Sequence, residues 1–252
     1  MTSADSAVNI SAVDWPYADE GTPLAGVLFR DEREATVPGP RPGILLIHGG
    51  AGLDAHARGQ ARRYAALGYV VLACDMLGDG VAGDRERVIR CLTALRDDPP
   101  FMARRARAGL TALGRCPGAG GPAAAIGFCF GGLAALTLAR SGEPLAGAVS
   151  IHGSLATARR AEPGAVRARL LVCHGALDPH VPPGDVTAFA EEMNAAGADW
   201  QLIMYSGALH GFTHADATPG SVRGVAYHPL ADSRSFAAVR GFLADAFDDS
   251  SR

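Results

Sequence analysis

From Gly43 onward the chain alternates short apolar runs with helix-like segments, and this alternation constrains the fold more than any other feature. The runs Gly43–Ile47, Tyr69–Cys74, Ala123–Ile126, Leu145–Ile151, Leu170–His174 and Trp200–Tyr205 have strand length. Their near-continuous apolar character marks strands buried on both faces. Between and after them lie helix candidates over Ala55–Leu67, Asp84–Arg96, Pro99–Leu113, Leu133–Arg140, Asp185–Ala196 and Ala231–Phe247. Gly68 and Gly197 stop two of these, and Pro99 opens one. Such alternation specifies an α/β fold: a mostly parallel sheet flanked by helices on both faces. Upstream, Val8–Asp14 and Leu24–Arg30 read as an antiparallel pair at one sheet edge, around a turn at Asp19–Pro23. Asp31–Pro42 reads as a loop, and the acidic tail Asp248–Arg252 as a frayed end. With no linker-like stretch or repeat, residues 1–252 are read as one domain, in which 1–42 form the N-terminal strands and loop.

Composition excludes several classes of function. The net charge is -3, and every positive side chain is an arginine. Neither fact suggests nucleic acid or an anionic membrane surface as a partner. No apolar run approaches the ~20 residues of a membrane span. Met1–Ala12 has neither the basic start nor the apolar block of a signal peptide. The cysteines Cys74, Cys91, Cys116, Cys129 and Cys173 are widely spaced with no C-x-x-C pair. That pattern fits reduced thiols in a cytoplasm and argues against a disulfide framework or a zinc site.

One strand–helix junction carries a nucleophile. After Ala123–Ile126 comes Gly127-Phe-Cys-Phe-Gly-Gly132, and then the helix. This is the G-x-S-x-G nucleophile elbow with cysteine in place of serine. Glycines suit a sharp, strained turn, and the following helix points its N-terminus at Cys129, where free N–H groups and the dipole favour a thiolate. Alone, the motif is equally compatible with a glycine-rich turn around a structural cysteine. Two further strand ends bear on the choice. Asp178, four residues past His174, is fixed by Pro179, and His210 follows the last strand between small residues. Singly, each reads as well as a turn aspartate and a solvated histidine. Together, nucleophile, acid and histidine occur in the order of the α/β-hydrolase fold.

On these residues the chain resembles the dienelactone hydrolase family, from about Gly43 to Phe247. Beyond the elbow, the resemblance rests on Ala73-Cys-Asp-Met-Leu-Gly-Asp-Gly80, the loop Gly175–Pro182, Leu209-His-Gly-Phe212, and Gly224-Val-Ala-Tyr227 leading into Ala231–Phe236. The resemblance implies hydrolysis of a lactone or ester through a thioester, with no metal or organic cofactor. It implies Cys129 as nucleophile, His210 as base and Asp178 as its orienting carboxylate. The oxyanion donors expected are the N–H groups of Phe130 and, from the loop after Ile47, Gly50.

Three departures shape the substrate expectation. Gly49 stands where many members carry a glutamate, and Asp79 and His214 stand where the dienelactone enzymes anchor a carboxylate with arginines. These three positions, with His152 after its strand, are the expected substrate-contacting residues. An aspartate would repel a carboxylate, so a neutral ester or lactone is expected rather than dienelactone itself. Without a carboxylate beside it, Cys129 is expected to rest as a thiolate paired with an imidazolium at His210. The spacing of His210 and His214 would suit a metal on a helix, but Gly211 argues for a loop and against a metal site. The rival functions are a non-catalytic small-molecule receptor on the same fold and a thiol redox protein. The second needs a resolving cysteine that neither sequence neighbour supplies.

Overall fold

The computed structural model describes residues 9–33 and 39–248. Val8, part of the Asp31–Pro42 loop and the tail beyond Asp248 lie outside the described residues. Among these residues eight strands form one sheet: β1 (Ile10–Asp19), β2 (Thr22–Asp31), β3 (Arg41–Ile47), β4 (Val70–Cys74), β5 (Ala119–Phe128), β6 (Gly147–Ile151), β7 (Arg169–Gly175) and β8 (Trp200–Tyr205). Their order is β1-β2-β4-β3-β5-β6-β7-β8. The β1–β2 and β2–β4 pairs are antiparallel, and every pair from β4 to β8 is parallel. This is the mostly parallel α/β-hydrolase sheet.

Among the described residues six helices cover it: α1 (Ala55–Ala65), α2 (Arg85–Asp97), α3 (Pro99–Leu113), α4 (Phe130–Arg140), α5 (Pro183–Ala196) and α6 (Pro229–Asp248). The period-2 alternation of each strand divides the core in two. Leu45 and Ile47 pack with α3, α4 and α5, through Met102, Leu133 and Phe189. Their neighbours Ile44 and Leu46 pack with α1 and α6, through Tyr64 and Phe242. Because both faces are covered, polar function is confined to the rim where the strands end.

Several elements run longer than the sequence suggests, β1 and β5 by the most. β1 continues through Pro16 to Asp19, leaving only Glu20-Gly21 as the turn, with φ of 45° and 83°. Proline is tolerated there because β1 is an edge strand. Asp19, buried at the strand end, binds Arg105 Nε at 2.8 Å and ties the hairpin to α3. β5 begins at Ala119 rather than Ala123, because a bulge opposite Arg41–Gly43 absorbs Gly120, Gly121 and Pro122.

Candidate active site

The elbow forms where β5 stops against α4. Cys129 is the N-cap of α4 and holds φ 53°, ψ -116°, a strained conformation for a side chain of its kind. The surrounding backbone over-determines it. A Cβ on Gly127 would lie 1.8 Å from the Gly131 carbonyl oxygen, and one on Gly131 would lie 2.2 Å from that of Ile47. Only glycine at both positions lets the turn close and seat against the end of β3. That contact brings the His48–Gly50 loop beside the sulfur.

His210 Nε2 is 3.0 Å from Cys129 Sγ, and His210 Nδ1 is 2.8 Å from Asp178 Oδ2. The other carboxylate oxygen accepts the His180 N–H at 2.8 Å. The histidine loop is held by backbone bonds: the His210 N–H donates to the Gly224 carbonyl at 3.0 Å, and the Ala226 N–H donates to that of His210 at 3.2 Å. Thus three residues contributed after β5, β7 and β8 meet at one point.

The electrostatics follow from this geometry. Burial raises the Cys129 pKa, but the His210 hydrogen bond and charge, with the N–H groups of Phe130 and Gly50, bring it below the ordinary thiol value. Burial pulls His210 down, yet its bonds to Asp178 and Cys129 raise it to about 10. Asp178 is also raised by burial and lowered more by His210 and the His180 N–H. A coupled thiolate–imidazolium–carboxylate array is the state these shifts favour. His48 shapes the donor loop: its Nε2 accepts the Met76 N–H at 3.1 Å, which leaves Nδ1–H to donate to the Gly49 carbonyl at 2.6 Å.

A cavity of about 750 Å³ opens over Cys129 and His210. Gly49, Gly50 and His214 line it, with His56, Thr213 and Arg63. Asp79 does not. It is exposed, and its N–H donates to the Pro23 carbonyl at 3.0 Å. His152 does not either. It is fully buried behind His210, ring centroids 5.4 Å apart, with Nε2 on Thr213 Oγ1 at 2.8 Å. The expectation of substrate contact at Asp79 and His152 is corrected by these positions.

His56, Thr213 and Arg63 were not singled out from the sequence. His56 Nε2 meets the same Thr213 hydroxyl at 2.9 Å, and its ring stacks on His214 at 3.6 Å. Burial and the His214 charge lower His56 to about 4, and burial lowers His152 and His214 as well. Burial thus disfavours the charged form of His56, His152 and His214, while Asp178 and Cys129 favour it at His210. Arg63 Nη1 donates to Asp232 at 2.9 Å and to Gln60 at 3.2 Å. On α1 it reads as an ordinary polar-face residue, and only the tertiary packing reveals its place. Among the described residues no group of three or more His, Cys, Asp and Glu side chains could hold a metal ion.

The family model of the dienelactone hydrolase family matches residues 25–247. The chain belongs to the dienelactone hydrolase family. It is a hydrolase of that family, as its solved relatives also indicate. A structure named m3DLH is 38% identical, covers 94% of this chain and 99% of its own, and superposes with a TM-score of 0.88. A dienelactone hydrolase-like promiscuous phosphotriesterase from metagenomic libraries is 36% identical with the same coverage and TM-score. An uncharacterized protein of Caenorhabditis elegans is 35% identical over 130 residues, 49% of this chain and 79% of that one. No helix among the described residues is long and apolar enough to cross a membrane.

Proposed function

We propose that this family member cleaves neutral carboxylic esters or lactones through a thioester on Cys129. The observation that carries the reading is the bridging position of His210, 3.0 Å from the sulfur and 2.8 Å from Asp178. The Cys129 thiolate attacks the carbonyl carbon. The carbonyl oxygen becomes an oxyanion and is met by the N–H groups of Phe130 and Gly50, the two that also face the sulfur. His210 gives its Nε2 proton to the leaving oxygen as the C–O bond breaks, and Asp178 holds Nδ1–H throughout. In an ester the alcohol departs. In a lactone the released hydroxyl stays tethered to the acyl group. Neutral His210 then takes a proton from water, the hydroxide attacks the thioester, and the acid leaves as thiolate and imidazolium are restored.

Neutral substrates are favoured by the charge of the cavity. Its lining holds Arg63 against Asp54, Asp216 and Asp232, and Asp232 already occupies Arg63. A substrate carboxylate would enter a field with no uncommitted cation. A receptor without catalysis would have no use for an aligned nucleophile, base and carboxylate. Disulfide cycling lacks a partner, because among the described residues no second cysteine lines the cavity. The reading carries with it a cytoplasmic enzyme with reduced thiols and a small-molecule partner.

The test is a hydrolysis screen over aryl esters, lactones and their carboxylated analogues, with a phosphotriester added because one relative is described as cleaving such compounds. Turnover of neutral esters or lactones, with an acyl adduct on Cys129 seen by mass spectrometry, is the expected result. Turnover that survives Cys129→Ala would overturn the mechanism, and preference for the free acid would overturn the substrate class.

A further inference from the structure

One wall of the cavity over Cys129 is a chain of side chains whose hydrogen bonds run in a forced direction. Arg63 Nη1 lies 3.2 Å from the amide oxygen of the buried Gln60. A guanidinium can only donate, so the amide oxygen faces Arg63 and the amide nitrogen faces His56 Nε2, 3.4 Å away. The amide nitrogen can only donate in its turn. His56 Nε2 therefore accepts. Burial holds this ring down to about 4, so near neutral pH it carries a single proton, and that proton is on Nδ1. The Thr213 hydroxyl, 2.9 Å from the same Nε2, must then give its one proton to His56. Its oxygen is left to accept from His152 Nε2–H at 2.8 Å. The atom that His152 leaves unpaired in the interior, Nδ1, is thus a bare lone pair and not an unmet N–H.

The direction of this chain leaves one donor over. His56 Nδ1 makes no hydrogen bond among the described residues and is not buried, so its N–H opens on the cavity that the ring lines. The ring is also held in place. It stacks on His214 at 3.6 Å and meets the ring of Phe128, the residue before the nucleophile, edge-on at 5.1 Å. Other donors on the lining are already engaged: Arg63 by Gln60 and Asp232, and the Ser221 hydroxyl by the Thr218 carbonyl. The wall beside Cys129 therefore offers an oriented, uncharged N–H.

We propose that His56 is a specificity-determining residue whose Nδ1–H donates to a second oxygen of the substrate, an ether, hydroxyl or carbonyl oxygen outside the scissile group. Gln60 and Thr213 are positioning residues that act through the tautomer of His56. The substrate class narrows accordingly to esters or lactones with an oxygenated acyl or alcohol part, in preference to plain hydrocarbon ones. The inference rests on the ester or lactone reading of the site.

Two matched pairs of esters test it: p-nitrophenyl methoxyacetate against p-nitrophenyl butanoate for the acyl side, and methoxyethyl butanoate against butyl butanoate for the alcohol side. Each ratio of kcat/KM is divided by the ratio of alkaline hydrolysis rates, which removes intrinsic reactivity. In mildly alkaline buffer at least one pair should favour the ether by about five- to tenfold, the worth of one neutral hydrogen bond. His56→Phe keeps a ring on His214 and should abolish the preference. Gln60→Glu keeps His56 but accepts from its Nε2, which strips Nδ1 of its proton, and should abolish it too. Proton–nitrogen correlation spectra of histidine-labelled protein, with His56 assigned by its loss in His56→Phe, should show Nδ1 protonated and Nε2 bare. A proton on Nε2, no ether preference in either pair while the butanoates are hydrolysed, or a preference that survives either substitution would each overturn the proposal and leave the hydrolase reading standing. No turnover of any of these esters would defeat the hydrolase reading itself, and the proposal with it.

Discussion

Cys129 and Cys173 are the same side chain at the ends of two strands of one sheet, and the fold drives them in opposite directions. Cys173 lies within β7, fully buried, and burial pushes its thiol up to about 12 despite a hydrogen bond from Tyr205. Cys129 is also raised by burial, but one residue past β5 it meets His210 and two backbone N–H groups, and its pKa falls. The histidines repeat the contrast. His210 rises to about 10 beside Asp178 and Cys129, while His152, its rings 5.4 Å away, is driven down by burial and by the His210 charge. The elbow and the rim therefore favour the charged forms of Cys129 and His210, and depth in the sheet disfavours those of Cys173 and His152.

The largest effect should come from exchanging the two thiols for alanine. Cys129→Ala should lower kcat by about 10⁴-fold or more, as loss of a nucleophile does. Cys173→Ala should leave kcat within about threefold and cost about 1 kcal/mol of stability from the small cavity it leaves. Parallel kinetics and denaturant melts of the two variants check this, and equal losses of activity would break the comparison.

Next is Asp178→Asn. The amide cannot hold Nδ1–H as Asp178 does, so His210 loses both its tautomer and its raised pKa, and kcat should drop by about 10³- to 10⁴-fold. The alkylation pKa of Cys129 should move up toward the free thiol at the same time. A loss of activity with an unmoved alkylation profile would mean that Asp178 does not act through His210.

Gly49→Glu should have a moderate effect. A Cβ at Gly49 would stand 3.7 Å from that of Cys129 and 3.6 Å from the Phe128 carbonyl oxygen, so the backbone has room for the change. A carboxylate there opposes the thiolate and should raise its apparent pKa by about one unit or more. Iodoacetamide modification at neutral pH should slow accordingly, and an unchanged rate would show that the new carboxylate points elsewhere.

The smallest effect is expected at Arg63. Arg63→Met frees Asp232 to face the cavity, so kcat/KM for a carboxylated ester should fall by about two- to fivefold, a screened surface-type interaction. Its methyl ester should be cleaved as before. A collapse for both substrates would assign Arg63 to the fold instead.

These contrasts also separate what the sequence discloses from what it conceals. Cys129, Asp178 and His210 follow strands recognisable by their apolar runs, and in a parallel sheet all such ends share one rim, so their meeting was legible. The elbow glycines were legible for the same reason, since a strand running directly into a helix leaves no room for Cβ atoms. Asp79 was not placeable by chain position, because its loop is held by tertiary bonds that no local pattern reveals: the Ala25 N–H donates to Asp75, the Asp79 N–H to Pro23 and the Met76 N–H to His48. His152 follows a strand as His210 does, yet it turns inward at φ 41° to meet Thr213, and no local pattern foretells that. Arg63 and His56 sit on an amphipathic helix, where a side chain over a cavity looks the same as one facing water.

The central claim is that Cys129 rests as a thiolate beside a cationic His210, and the rate of iodoacetamide alkylation against pH measures it most directly. With the thiol pKa lowered and that of His210 raised to about 10, the pair persists at neutral pH, and the rate falls only as acid protonates the sulfur. The account predicts rapid modification of Cys129 at pH 7 and an apparent pKa below about 7. An apparent pKa at or above the free-cysteine value of about 8.5 would contradict it.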